Sequence, residues 1–157
     1  MTSPIRKNES QEKPLILVVD DNEQNLELIV AYLEDVECQT ISASNGMDAL
    51  DIIQRKTPDL VLLDVMMPKI SGFEVCRRIK NNPQTADVPV IMVTALNELA
   101  DIEKAINSGT DDFLSKPVNK WELITRVKTM LKLKHLTDRL ERTLAYLSEV
   151  EKAAESR

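Results

Sequence analysis

Residues 15–23 read LILVVDDNE: five aliphatic side chains, Leu15 to Val19, run without a break into the paired acids Asp20 and Asp21. A strand wet on one face alternates apolar and polar positions, whereas an unbroken apolar run marks a strand covered on both faces. Four further runs share this character, the first of them weakly: QTISAS (39–44), DLVLL (59–63), VPVIMVT (88–94) and DFLS (112–115). The gaps carry helical spacing instead, in Leu26, Ile29, Val30 and Leu33, in Leu50 with Ile53, in Phe73 with Cys76 and Ile79, and in Leu99 with Ile102 and Ile106. Ser71 with Glu74 and Asn119 with Glu122 have capping-box spacing, and Gly109 suits a left-handed helix end. Five strands therefore alternate with five helices. Strands joined through helices are parallel with right-handed crossovers, so the fold class is α/β with an open, doubly wound sheet.

A chain of 157 residues fits one domain with appendages. With 43% hydrophobic but only 3% aromatic residues, its core is aliphatic and an aromatic binding platform is disfavoured. A formal charge of -6 and a pI near 4.9 weigh against direct nucleic-acid binding and against attraction to anionic membranes. Every apolar run falls far short of the roughly 20 residues that span a bilayer, so no membrane insertion is expected. The opening MTSPIRKNESQEK has no apolar core of a secretory signal, and residues 1–13 read as a flexible polar tail. Cys38 and Cys76 stand apart without metal-ligand spacing, and read as reduced, mostly buried residues of a cytoplasmic protein.

Doubly wound sheets place their sites outside the carboxyl ends of the strands. Immediately after the first, third and fifth runs stand Asp20 with Asp21, Asp64 and Lys116, and Thr94 closes the fourth. Each alone has an ordinary explanation, as a helix cap, a turn residue or a solvated lysine. Their convergence on one sheet edge does not. Carboxylates held together repel unless a cation lies among them. An all-oxygen set without nearby His or Cys favours Mg2+ over zinc or copper. A carboxylate beside such an ion, with a lysine and a hydroxyl aimed at the same space, fits phosphoryl transfer to an aspartate: Asp64 as nucleophile, Lys116 neutralising the phosphoryl oxygens, Thr94 donating to one of them.

These residues and their order resemble the receiver domain of a two-component response regulator. VVDDN, DLVLLDVMMPKISGFEV, VTA and DFLSKP carry the resemblance, which extends over about residues 14–134. It implies a flavodoxin-like (βα)5 fold with strand order 2-1-3-4-5, and phosphorylation of Asp64 by a sensor histidine kinase or phosphotransfer protein. It further implies Asp21 and Asp64 as direct Mg2+ ligands, Asp20 as the acid that holds the ion's water, and the Met66 backbone carbonyl as third protein ligand, with Mn2+ able to substitute. Thr94 and Lys116 then contact the phosphoryl group, Phe113 is the switch aromatic, and the Lys116-Pro117 bond is cis. The implied signal is a displacement of Thr94 that lets Phe113 turn inward and remodels the face of the fourth helix, fifth strand and fifth helix. Such a domain is no enzyme in the ordinary sense, since it catalyses only its own phosphorylation and dephosphorylation.

The chain has Ser71 where the family often has Asp before the glycine, a change that spares the capping role. Met66 and Leu96, two residues past Asp64 and Thr94, are apolar and hinder an attacking water, so a long-lived phosphoaspartate is expected. A haloacid-dehalogenase type of hydrolase needs a second Asp where Met66 stands. Gly46, Gly72 and Gly109 are too few for a phosphate-binding loop or a dinucleotide fingerprint. A degenerate receiver that binds without phosphate usually lacks a key residue, and here all are present.

No Pro or Gly interrupts the chain from Asn119 to Arg157, so the last helix runs past the domain as an extension over 135–157. Leu133, Leu136, Leu140, Leu147 and Val150 approximate a heptad seam, with Thr143 and Ala154 as weak members and Leu144 beside it. The pattern fits a parallel coiled-coil dimer and a solitary amphipathic helix equally. Homodimers are expected through this helix or through the face of the fourth helix, fifth strand and fifth helix. Lys128, Lys132, Lys134, Arg139 and Arg142 read as a solvated face, and His135 as a surface residue. The chain reads either as a stand-alone regulator or as the receiver end of a longer one.

Overall fold

The computed structural model describes residues 12–95 and 99–156. Strands β1 (Leu15–Val19), β2 (Gln39–Ala43), β3 (Leu60–Asp64), β4 (Val90–Thr94) and β5 (Asp112–Ser115) form a parallel sheet in the order β2-β1-β3-β4-β5. Between and after them lie α1 (Glu23–Tyr32), α2 (Gly46–Arg55), α3 (Gly72–Asn81), α4 (Leu99–Asn107) and α5 (Lys120–Glu155). This is the flavodoxin-like (βα)5 architecture. The expected tail lies outside the described residues except for its last two positions, and Leu96 lies outside them altogether.

Every residue of β1, β3 and β4 is buried, because two cores cover the two faces of the sheet. Leu17, Val19, Leu63 and Met92 pack with Ile53 of α2, Val75 and Ile79 of α3 and Ala105 of α4. Ile16, Val18, Leu62 and Ile91 pack on the other side with Ile29 of α1 and with Leu123 and Val127 of α5. Strand β2 is an edge strand with only Ala43 buried, which explains why its sequence signal is weak.

The helix starts follow local chemistry. Ser71 Oγ accepts the Glu74 N–H at 3.3 Å, and Asn119 Oδ1 accepts those of Trp121 and Glu122 at 3.0 and 3.1 Å. The capping box at Ser71 is half made, since the Glu74 carboxylate turns to Arg77 and Arg78. Gly109 has φ 89, in the left-handed region. Helix α4 departs from its expected apolar face: Ala105 is buried and Ile106 is 63% exposed. One residue is about 100° of helix, and the position against the core has been taken by the smaller side chain.

At the amino ends of the strands, Lys80 Nζ reaches the carbonyls of Ala86 and Val88 and the Asp111 carboxylate at 3.2, 2.7 and 2.8 Å. Asp111 also accepts the Val90 N–H at 2.8 Å, so α3 and the entries to β4 and β5 are tied together. Helix α5 passes through residues 134 and 135 without a break. No helix among the described residues is long and apolar enough to cross a membrane.

Candidate functional site

Strand β1 lies between β2 and β3, so the chain's crossovers diverge at its carboxyl end and leave a crevice there. Val19 is in register with Leu63, which sets Asp20 beside Asp64. Val93 is level with Asp64, and Thr94 with Ser115, so Thr94 and Lys116 come to the same edge from β4 and β5. Lys116 extends across the end of β4. Its Nζ donates to Asp20 Oδ2 at 3.1 Å and to Asp64 Oδ1 at 3.2 Å.

Asp20 and Asp64 are 1% and 4% exposed, whereas Asp21 stands exposed at the rim. Asp20 uses its second oxygen, Oδ1, to accept the Asn22 N–H at 2.8 Å, which fixes the carboxylate. One carboxylate oxygen from each of Asp20, Asp21 and Asp64 lies within 4.8 Å of the others. Burial raises the Asp64 pKa above the ordinary carboxylate value, and the neighbouring Asp20 charge adds to the rise against the opposing pull of Lys116. For Lys116, burial disfavours the ammonium, but hydrogen bonding to Asp20 and the charges of Asp64 and Asp20 outweigh it and raise its pKa. Three carboxylates against one ammonium leave the cluster short of positive charge. Its all-oxygen donor set fits a hard divalent ion such as Mg2+.

Thr94 is buried at 4% exposure, and its carbonyl accepts the Lys116 N–H at 2.8 Å. The Lys116-Pro117 peptide is cis. Phe113, on β5, stands at the surface, and the Met66 side chain is 67% exposed in the loop after Asp64. That loop folds back on itself, with Gly72 N–H and Met67 N–H both donating to the Val65 carbonyl at 2.9 and 3.2 Å. A Cβ on Gly72 would sit 2.8 Å from Val65 Cα and closer still to the Asp64 carbonyl oxygen. Sequence reasoning assigned the Ser71-Gly72 pair only a capping role. The signal it passed over is a glycine at the first helical position, where intrinsic propensity disfavours one.

Residues 16–128 match the family described as the response regulator receiver domain. This chain belongs to that family. The receiver is 42% identical over 125 residues to the response regulator PleD of Caulobacter vibrioides, covering 80% of this chain and 28% of PleD. It is 41% identical over 116 residues to the heme response regulator HssR of Staphylococcus saprophyticus, covering 74% of this chain and 50% of HssR. It spans half the length or less of these two curated relatives. Among solved structures, the signal receiver domain of a histidine kinase from Syntrophus aciditrophicus aligns with TM-score 0.72 and 34% identity, over 76% of this chain and 90% of that one. A CheY-like receiver from Methanospirillum hungatei aligns with TM-score 0.75 and 25% identity, over 80% and 99%. The receiver is thus a component of two-component signalling.

Proposed function

We propose that this receiver takes a phosphoryl group onto Asp64 from a sensor histidine kinase or a phosphotransfer protein, in the presence of Mg2+ or Mn2+. The observation that carries this reading is the buried Asp64 beside Asp20, both held by the Lys116 ammonium at 3.2 and 3.1 Å, with Asp21 at the rim. Asp21, Asp64 and the Met66 carbonyl would hold the ion, with Asp20 directed at its water. When bound, the ion supplies positive charge against the phosphoryl oxygens.

An Asp64 carboxylate oxygen attacks phosphorus as the bond from phosphorus to the donor's imidazole nitrogen breaks, and the imidazole leaves with its electron pair. Lys116 shifts from balancing two carboxylates to balancing the phosphoryl charge. The Thr94 hydroxyl donates to a phosphoryl oxygen, and Phe113 turns inward to remodel the α4-β5-α5 face and, through α5, the C-terminal helix. Homodimers form through that face or that helix. The domain turns over no separate substrate. A groove lined by Leu28, Ile29, Tyr32, Pro117 and Val118 opens beside Lys116 and offers the phosphodonor an apolar seat next to the acceptor. The reading places the protein in the cytoplasm.

Intact-protein mass spectrometry after incubation with acetyl phosphate and Mg2+ tests the chemistry. One phosphoryl group is expected on the parent, and none on Asp64→Asn or after chelation. A parent that gains nothing would sink the reading in favour of a module that binds without phosphate.

A further inference from the structure

Beyond the body, α5 leaves an apolar surface that the phosphoryl chemistry does not use. Leu123 and Val127 are fully buried, but Leu133, Leu136, Leu140, Leu147 and Val150 are 47–59% exposed. At about 100° per residue, these five point to the side of the helix opposite Val127, so the body leaves them uncovered. With Thr143 and Ala154 they make seven consecutive seam positions alternating by three and four residues. That spacing suits a second helix of the same kind.

Charge along the helix selects the partner and its direction. Residues 128–142 hold five basic and two acidic side chains, whereas 143–156 hold three acidic and one basic. Acids near a helix carboxyl end oppose the helix dipole, so an isolated α5 gains nothing from this arrangement. A parallel pair in register sets basic half beside basic half and acidic beside acidic. An antiparallel pair sets each half beside its opposite.

We propose that α5 docks with α5 of a second copy of this chain as an antiparallel coiled coil, centred between Glu141 and Arg142. In that register Leu133 meets Val150 of the partner subunit, Leu136 meets Leu147 of the partner subunit, and Leu140 meets Thr143 of the partner subunit. The acidic end of each helix then runs alongside the basic part of the other. The two receiver bodies lie toward opposite ends of the paired helices. The inference is independent of phosphorylation at Asp64.

Sedimentation of the full chain at low and high salt, joined to a spin-label distance, tests it. A nitroxide on Ser156→Cys, in a Cys38→Ala, Cys76→Ala background, should report about 45 Å between labels, from 29 residues of axial offset at about 1.5 Å each. A parallel pair would place the labels roughly 15 Å apart, near the interaxial spacing. A dimer is expected, with a dissociation constant that rises about tenfold as salt screens the opposite charges. Leu140→Glu with Leu147→Glu should be monomeric yet gain a phosphoryl group from acetyl phosphate as the parent does. A monomeric parent, a label distance near 15 Å, or a dimer that tightens with salt would overturn the proposal.

Discussion

Asp64 is held in a tension that its neighbours create. Its folded pKa is raised, burial being the larger cause and Asp20 the next, so the ion-free receiver binds more protons at this site than the unfolded chain does. Folding without the ion thus disfavours the charged carboxylate relative to the unfolded chain, and the stability this confers on the protonated form is lost as pH rises from about 4 through the raised folded value. Asp64→Asn should stabilise the ion-free protein at neutral pH by on the order of 1 kcal/mol, with the gain vanishing below the unfolded carboxylate pKa. Urea unfolding of both proteins in chelator across pH checks the sign, and a variant less stable than its parent at neutral pH would contradict it. Met66 carries the second prediction at this scale. Exposed beside the acceptor, it offers an attacking water no hydrogen bond. Met66→Asn should hasten loss of the phosphoryl group about tenfold, or about 1.4 kcal/mol of barrier, as followed by intact mass after the donor is removed.

Of the three glycines, Gly72 at the start of α3 has the tightest seat. The Asp64 and Val65 backbone stands where its Cβ would lie. Backbone atoms cannot swing aside as a flexible side chain can, so Gly72→Ala should cost about 2 kcal/mol or more and lower phosphorylation by displacing Asp64. Thermal melting and phosphorylation yield measure the two effects, and an unchanged yield with lowered stability would confine the role of Gly72 to folding. The elements also show where legibility ends. Capping residues could be read from sequence because Asn119 and Ser71 act on N–H groups two or three residues away. The rotation of α4 could not, because the choice between Ala105 and Ile106 depends on the room left by a core drawn from α2, α3 and the sheet.

The whole molecule answers to the charge gathered at one edge of its sheet. Carboxylates of Asp20, Asp21 and Asp64 crowd within 4.8 Å, so a divalent ion that fits them should bind the native state alone. At ten times its dissociation constant, Mg2+ should add about 1.4 kcal/mol of stability, a rise in melting temperature of roughly 3–6 °C for a chain of this size. Calorimetry with and without Mg2+ measures it. Asp21→Asn should lose most of the rise, and a parent that melts alike in Mg2+ and in chelator would speak against the ion site.

Sequence alone determined the alternation of strands and helices, because a strand covered on both faces must be apolar throughout while its flanking helices need only one apolar side. It determined the edge at which Asp20, Asp21, Asp64, Thr94 and Lys116 would gather, because each lies at or just past the end of a strand run. Tertiary structure alone decided that Lys116 pairs with both Asp20, 96 residues away, and Asp64, 52 residues away. It also decided that Gly72 lies against the Asp64 carbonyl and that Ala105 displaces Ile106 from the core. Periodicity and capping act within a few residues along the chain and can be read there. Ion pairing and close packing are settled by neighbours that only the folded chain brings together.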